Sequence, residues 1–370
     1  MKEELLNSKM TINRTDFFIG FLLGLPFAMP IPFYWFSFLA FVLALTRMGD
    51  SSLLRRQLII FIALFSLGIF SSIVSKYHFK VEAFRMLYSS LSFLFFLFGA
   101  GVRDFRSLFR GYLTGAVLLS VYTVILFVLL KPYEEGAYMF IYVDYRNWAI
   151  DFIPDWPNLY SFNVCVAGLV ALFIFNSKKL SLYFLFVALI TTSRISLVYF
   201  SFLLIFIVFK LLKERRIIMA TFLFLIVGFI IIKLGTLSSF EGSNQLADRL
   251  NKTADRELVY TMLIQEFEEN PIIGIGNITV EDFLGLDANV SSFHNTFLEV
   301  SVRYGVIGLL FFLVMISPAS LKGDKTMLMI MVFFVVCAMF QNILRHPHNV
   351  MLYSAILYFH TYGKRHAKTN

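Results

Sequence analysis

The strongest constraint in this sequence is a succession of long apolar runs separated by short polar breaks. A helix crosses a bilayer core of about 30 Å with about 20 apolar residues. Of the 370 residues, 58% are hydrophobic and only 15% are charged, a more apolar composition than soluble domains have. We therefore predict an all-α, polytopic transmembrane helical bundle that forms a single integral membrane domain over 1–370.

The polar breaks divide the chain into about twelve candidate spans. The first two spans are short, and Pro26, Pro30 and Pro32 lie at their junction, which indicates a tight helical hairpin bent at the outer face. A single re-entrant element is the alternative for this pair. The candidate spans are 17–29, 32–46, 57–74, 83–101, 108–130, 158–175, 179–192, 195–210, 217–234, 301–317, 326–343 and 349–362.

The distribution of charge predicts the orientation. If the N-terminus is cytoplasmic, the inner loops hold most of the 32 Lys and Arg residues and the outer segments hold most of the 24 Asp and Glu residues. Both termini are therefore predicted to be cytoplasmic. The net charge of +8 does not suggest nucleic acid as a partner, because the basic residues occur in short separate clusters and not on a continuous face.

Two outer segments, 131–157 and 235–300, are too long to be simple connectors. We predict a smaller and a large extracytoplasmic loop. In the large loop an amphipathic helix follows Asp255-Arg256-Glu257, ends at Asn270-Pro271, and leads into a turn at Gly274 and Gly276. Its apolar face holds Val259, Leu263 and Phe267, and its polar face holds Thr261, Gln265 and Glu268.

Few ionisable residues lie at the outer membrane edge, and each is a candidate for function. Arg194 stands at an outer junction of two spans, and Arg303 lies in the first turns of the tenth span; either could instead be an anchor that reaches the headgroups. His294 precedes that span, where Gly305 and Gly308 would let a neighbouring helix approach closely.

A further outer turn reads Arg345-His346-Pro347-His348. Its two histidines and its arginine could contact an acceptor or a phosphate. The alternative is an interfacial turn that contacts lipid headgroups.

Four stretches together resemble a known family. His294-Asn295-x9-Gly305-x-x-Gly308 resembles the signature of the O-antigen ligase and O-antigen polymerase superfamily. In the same order along the chain, Thr192-Ser193-Arg194, Arg256 and the stretch from Glu269 to Gly276 resemble the family's Ser-Arg element, loop arginine and Asn-Pro-x-x-Gly-x-Gly element. Tyr260 is a departure, because the family frequently has Trp there.

The resemblance implies a metal-independent, inverting glycosyltransferase of the bacterial inner membrane with a periplasmic active site. Its donor would be a glycan linked to undecaprenyl diphosphate. Arg194 and Arg256 would bind the diphosphate as bidentate guanidinium groups, and His294 would be the catalytic base. No set of His, Cys or carboxylate residues has metal-ligand spacing, so no metal or cofactor is expected. The predicted substrate-binding residues are Asn295, Arg303, Tyr260, Arg345 and His348.

Three functions stay open at this point. A polymerase would extend a surface polysaccharide on a glycan hydroxyl, and the compact large loop favours this function. An O-antigen ligase would transfer the chain to lipid A core. A polysaccharide or lipid transporter is the third, although its ionisable groups would be expected near the bilayer midplane. The implied partners are the lipid-linked donor, a glycan or lipid A core acceptor, membrane lipids and a chain-length regulator protein.

Overall fold

The computed structural model describes residues 12–25, 34–49, 51–75, 91–130, 157–190, 194–213, 259–277, 295–318 and 323–366. All regular secondary structure in these ranges is helical, which confirms the all-α prediction. Within these ranges, two 3₁₀ helices, Ser92–Gly101 and Ile343–Arg345, accompany eleven α-helices. The α-helices are α1 (Arg14–Gly24), α2 (Tyr34–Leu45), α3 (Ser52–Val74), α4 (Phe105–Leu130), α5 (Pro157–Phe173), α6 (Lys178–Ile190), α7 (Arg194–Lys213), α8 (259–269), α9 (Thr296–Ile316), α10 (Lys325–Ala338) and α11 (Pro347–His366).

Three of the described helices are long and apolar enough to cross a membrane: α3, the Phe105–Ile125 part of α4, and α9. Every predicted span except 217–234, which lies outside the described residues, overlaps a helix. Helix α1 has 11 residues, which is about 16 Å and therefore shorter than a bilayer core, and α2 is described over 12 residues. The choice between a hairpin and a re-entrant element for this pair, and the number of spans, stay predictions.

Helices α1 and α4 pack backbone against backbone through two matching glycine pairs. Gly20 and Gly24 lie four residues apart on α1, and Gly111 and Gly115 lie four apart on α4. A Cβ atom at Gly20 would overlap the Leu108 carbonyl, and one at Gly111 would overlap a carbonyl of α1. This small-xxx-small arrangement is typical of helices that pack inside a membrane.

The predicted span 83–101 is described only from residue 91, where the structure has a 3₁₀ helix over Ser92–Gly101. The hydroxyl of Ser354 on α11 explains part of this departure from α-helix. It donates a hydrogen bond to the Phe96 carbonyl (2.6 Å) and accepts one from the Gly99 N–H (2.9 Å). The hydroxyl thus supplies partners to a 3₁₀ segment that is much longer than usual.

Hydrogen bonds join helix ends that are predicted to lie on the same side of the membrane, because successive spans cross it in opposite directions. At the predicted inner side, Arg47 after α2 holds Asp16 of α1 with two bonds of 2.7 and 3.1 Å. Asp16 also accepts the Asp104 N–H at the start of α4 (2.9 Å). The Tyr362 hydroxyl accepts the Leu53 N–H (3.1 Å), which joins α11 to the beginning of α3. The sidedness itself stays a prediction from charge.

Candidate functional site

Helix α9 is broken at Gly305, whose backbone has φ 65° and ψ −167°. The break removes two bonds of the helical ladder. It leaves the carbonyls of Val302 and Arg303, and the N–H groups of Val306 and Ile307, in need of other partners. A buried backbone group without a partner is costly, so another segment must supply these bonds.

The turn that follows α8 supplies all four bonds. Here the clasp denotes residues 270–277 of this turn together with residues 302–307 of α9. The turn donates from Ile275 N–H to the Val302 carbonyl and from Gly276 N–H to the Arg303 carbonyl, each at 2.9 Å. It also accepts, through its carbonyls at 271 and 272, the N–H groups at 306 (2.8 Å) and 307 (3.3 Å).

The glycines of the predicted motifs make this contact sterically feasible. Gly274 and Gly276 have φ of 71° and 85°, which favour glycine. A Cβ atom at Gly274 would overlap the α9 backbone, and one at Gly276 would overlap Ser72 of α3. A Cβ atom at Gly308 would lie 3.4 Å from Leu67 of α3, so the predicted close helix approach is found there. At Gly305 the approaching segment is the turn after α8 and not a helix, because the turn supplies the backbone hydrogen bonds that α9 lacks at its break.

Two polar side chains that the sequence did not single out close the clasp. The Tyr304 hydroxyl donates to the Asn277 side-chain oxygen (2.5 Å), and both residues are buried. The Asn277 N–H donates to the Ser72 hydroxyl (2.8 Å), and the Ser71 hydroxyl donates to the Arg303 carbonyl (3.4 Å). The clasp therefore joins α8, α9 and the end of α3. The only signal in the sequence is that Asn277 and Tyr304 each adjoin a motif glycine.

Asn295, predicted to bind substrate, caps α9 in this structure. Its side-chain oxygen accepts the Leu298 N–H (3.0 Å), as an N-cap residue does. The next residue, Thr296, donates its hydroxyl proton to the Gln341 carbonyl (3.1 Å) and so ties the first turn of α9 to the turn before α11. His294 lies outside the described residues and directly precedes this anchored cap.

Arg303 is held by a carboxylate that the sequence analysis did not consider. Its guanidinium lies 3.0 Å from a Glu299 carboxylate oxygen, one helical turn earlier. The two side chains are 11% and 5% exposed, so neither reaches freely into water. The pairing argues against a headgroup anchor and leaves a substrate contact for Arg303 untested.

The turn before α11, which is predicted to lie on the outer side, holds the second group of predicted contacts. Arg345 ends the short 3₁₀ helix and its side chain lies outside what is described, whereas His348 is buried at the start of α11. His348 lies ahead of the predicted span 349–362, and its burial, with the nearby His346, lowers the pKa of its imidazole well below the usual value. Asn349 is fully buried, and its side-chain amide has no hydrogen-bond partner among the described residues.

Helix α8 confirms the predicted amphipathic pattern. Val259 and Leu263 are buried and Phe267 is half-buried, and the helix ends at residue 269 as predicted. Tyr260 is half-buried. The exposed face contains Thr261, Gln265 and Glu268.

Two of the three predicted catalytic residues, Arg256 and His294, lie outside the described residues. The third, Arg194, begins α7, and its side chain is not part of the description. Their meeting in one cavity stays a prediction.

The comparison with family models identifies the segment that contains this site. Residues 179–313 match the model of the O-antigen ligase family, whose members are glycosyltransferase-like enzymes. No curated protein matches the chain. The matched segment runs from α6 to the second half of α9 and includes Arg194, the clasp and His294. Together with the apolar helices, this match supports a membrane protein of polysaccharide biosynthesis, and it confirms the resemblance of the motifs to the O-antigen ligase and O-antigen polymerase superfamily.

Proposed function

We propose that this chain is a membrane glycosyltransferase that moves an oligosaccharide or polysaccharide from undecaprenyl diphosphate onto a glycan hydroxyl at the periplasmic face. The observation that carries the proposal is the family match over residues 179–313, which contains the motif arginine, the clasp and the motif histidine. The proposed reaction is that of a surface-polysaccharide polymerase, which transfers the growing chain to a new repeat unit.

The proposed step is a single displacement at the anomeric carbon of the donor. The acceptor oxygen forms a bond to this carbon while the bond from the carbon to the diphosphate oxygen breaks, which inverts the configuration. Undecaprenyl diphosphate leaves with the electron pair of the broken bond, and its leaving oxygen thereby gains a negative charge. Arg194 and Arg256 are assigned to the diphosphate, because two guanidinium groups stay charged and bind phosphate oxygens bidentately. They would stabilise the developing charge without a metal ion.

His294 is assigned to the acceptor. An imidazole with an ordinary pKa near neutrality can take the proton of the attacking hydroxyl at physiological pH. Its position directly before the cap of α9 supports this role, since Asn295 and Thr296 fix the first turn of that helix. Tyr260, Arg303, Arg345 and His348 are proposed to contact the glycan or the donor phosphates around these groups.

An O-antigen ligase is the alternative, because the matching family model carries that description. A ligase would use the same donor and the same bond, and would differ only in its acceptor, the lipid A core. The compact large loop is the reason for preferring the polymerase.

The test uses the purified full-length protein in lipid nanodiscs with a glycan linked to undecaprenyl diphosphate. A ladder of longer lipid-linked chains is expected with donor alone, whereas a product labelled on added lipid A core would identify a ligase. His294→Ala, and Arg194→Ala with Arg256→Ala, should each abolish transfer. Full transfer by either variant would contradict the mechanism, and no glycosidic product with either acceptor would contradict the enzyme class.

A further inference from the structure

Two described helices follow two of the proposed catalytic residues in the sequence, and the clasp joins these helices. Helix α8 is described from residue 259, three residues after Arg256, and α9 begins two residues after His294. The turn that ends α8 is bonded to the middle of α9 through four backbone hydrogen bonds. The direction of α8 and that of the outer part of α9 are therefore set relative to each other at this one place.

The break at Gly305 makes this fixation necessary. In a continuous helix the outer residues 296–304 would take their direction from the membrane-spanning part. With φ 65° at Gly305 that direction is set instead by the groups that bridge the break. The backbone bonds hold residues 302, 303, 306 and 307 to the turn.

The Tyr304–Asn277 bond is a side-chain contact that spans the same junction. Tyr304 is the last residue before the break, and Asn277 is the last described residue of the turn. The bond between them is 2.5 Å long, Tyr304 is fully buried, and Asn277 is also bonded through its N–H to Ser72 of α3. The ring of Phe93 packs edge-on against the Tyr304 ring, with centroids 5.7 Å apart, which restricts the ring further.

We propose that Tyr304 and Asn277 are positioning residues that hold the donor-side helix α8 and the acceptor-side helix α9 in the relative orientation that transfer requires. This inference rests on the proposed function, since it assigns Arg256 to the donor and His294 to the acceptor. Neither Tyr304 nor Asn277 contacts the reacting atoms in this proposal. Displacement of a reactive group by about 1 Å can lower a rate by as much as a hundredfold, so a single hydrogen bond can have a large kinetic effect.

Helix α9 offers a matched control. The Tyr353 hydroxyl donates to the Ile316 carbonyl at the other end of the same helix, also at 2.5 Å, and Tyr353 is equally buried. Tyr304→Phe removes the bond from α9 to Asn277, and Tyr353→Phe removes the bond from α11 to α9. Each substitution removes one buried phenolic hydroxyl and keeps the aromatic ring. A purely structural role predicts the same consequences for both.

The experiment measures kcat and KM for transfer from the undecaprenyl-diphosphate-linked glycan, and the melting temperature, in full-length protein. Both variants should lower the melting temperature by similar amounts. Only Tyr304→Phe should lower kcat, by about tenfold, with KM changed less than about threefold. Equal values of kcat in the two variants would overturn the inference.

A second variant separates position from stability. In Tyr304→Phe alone, the buried side-chain oxygen of Asn277 loses its donor. Asn277→Leu combined with Tyr304→Phe removes this oxygen together with the donor, so no acceptor is left unsatisfied by the loss of the hydroxyl. The melting temperature should recover relative to Tyr304→Phe alone, while kcat stays low. Recovery of kcat together with the melting temperature would show that Tyr304 acts through stability, and would also overturn the inference.

His294→Ala distinguishes failure of this inference from failure of the proposed function. If His294→Ala is inactive and the two tyrosine variants have the same kcat, only the positioning role is wrong. If His294→Ala transfers glycan at the wild-type rate, the proposed mechanism fails and the positioning role, which depends on it, fails with it.

Discussion

The break in the middle of helix α9 and the C-terminal end of the same helix are held in opposite ways. At the break, backbone groups of the clasp bond to backbone groups. At the C-terminal end, which is predicted to lie on the inner side, the helix is continuous, and three side chains from other helices cap its last carbonyls. These bonds run from Gln57 to the Met315 carbonyl (2.8 Å), from Tyr353 to the Ile316 carbonyl (2.5 Å) and from Arg56 to the Ser317 carbonyl (2.7 Å).

This difference explains which of the two places can be recognised in the sequence. A carbonyl can be capped by any donor side chain of suitable length, so the C-terminal end of α9 leaves no fixed residue pattern. A backbone-to-backbone contact needs glycine wherever the two chains touch, which fixes Gly274, Gly276 and Gly305 in place. Packing thus accounts for the glycines of the family-like motifs. The candidates for a catalytic role are therefore the polar residues of these motifs.

The largest effect is expected from Gly305→Ala in the outer clasp. The added Cβ atom would overlap the Ile272 carbonyl, and alanine strongly disfavours φ 65° with ψ −167°. We expect a loss of about 5 kcal/mol of stability, from backbone strain and overlap together, and no detectable transfer. Thermal unfolding in detergent and the transfer assay measure the two effects.

Gly49→Ala is the matched control at the inner side, because a Cβ atom there meets nothing within 4 Å. It should leave both stability and transfer unchanged. An active, stable Gly305→Ala protein would mean that the break in α9 is not required.

The second largest effect is expected from Asp16→Ala at the inner side. Asp16 is fully buried and its loss would leave Arg47 unpaired and the Asp104 N–H without its acceptor. Breaking a buried ion pair in this way costs about 3 kcal/mol. Because the pair lies at the end of the bundle away from the clasp, protein that remains folded should keep its KM and kcat. A changed KM at unchanged melting temperature would contradict this separation of the two ends.

Sequence alone predicted those features that depend on local pattern. The helical segments, the amphipathic face of α8, its end before Asn270-Pro271 and the glycine turn all follow from residue spacing. The pairing of Asp16 with Arg47 joins residues 31 apart, and Ser354 supports the 3₁₀ helix from a position 258 residues away from Phe96. Such contacts depend on which helices pack against each other, and the local spacing of residues does not specify this packing. The predicted meeting of Arg194, Arg256 and His294 belongs to the same class.

The third prediction concerns the ion pair of Glu299 and Arg303 on the outer part of α9. Glu299→Gln should destabilise the protein by about 2 kcal/mol. This value lies between the cost of breaking an exposed ion pair and that of breaking a fully buried one. Combining Glu299→Leu with Arg303→Met removes both charges and should recover that stability. If Arg303 contacts the donor as proposed, the double variant should still show about a tenfold higher KM for the donor. A wild-type KM in the stable double variant would assign Arg303 to the ion pair alone.

The smallest effect is expected from Gln57→Leu at the inner end of α9. Gln57 is fully buried and donates one hydrogen bond to the Met315 carbonyl, while its own side-chain oxygen has no partner among the described residues. Leucine removes a useful bond and an unsatisfied oxygen at once, so the two changes partly offset each other, and we expect a loss of about 1 kcal/mol or less. Transfer should be unchanged, because Tyr353 and Arg56 still cap the neighbouring carbonyls. A kcat reduced as strongly as in Tyr304→Phe would show that the C-terminal end of α9 is coupled to the clasp. The contrast between a replaceable side-chain cap and an irreplaceable backbone clasp would then no longer hold.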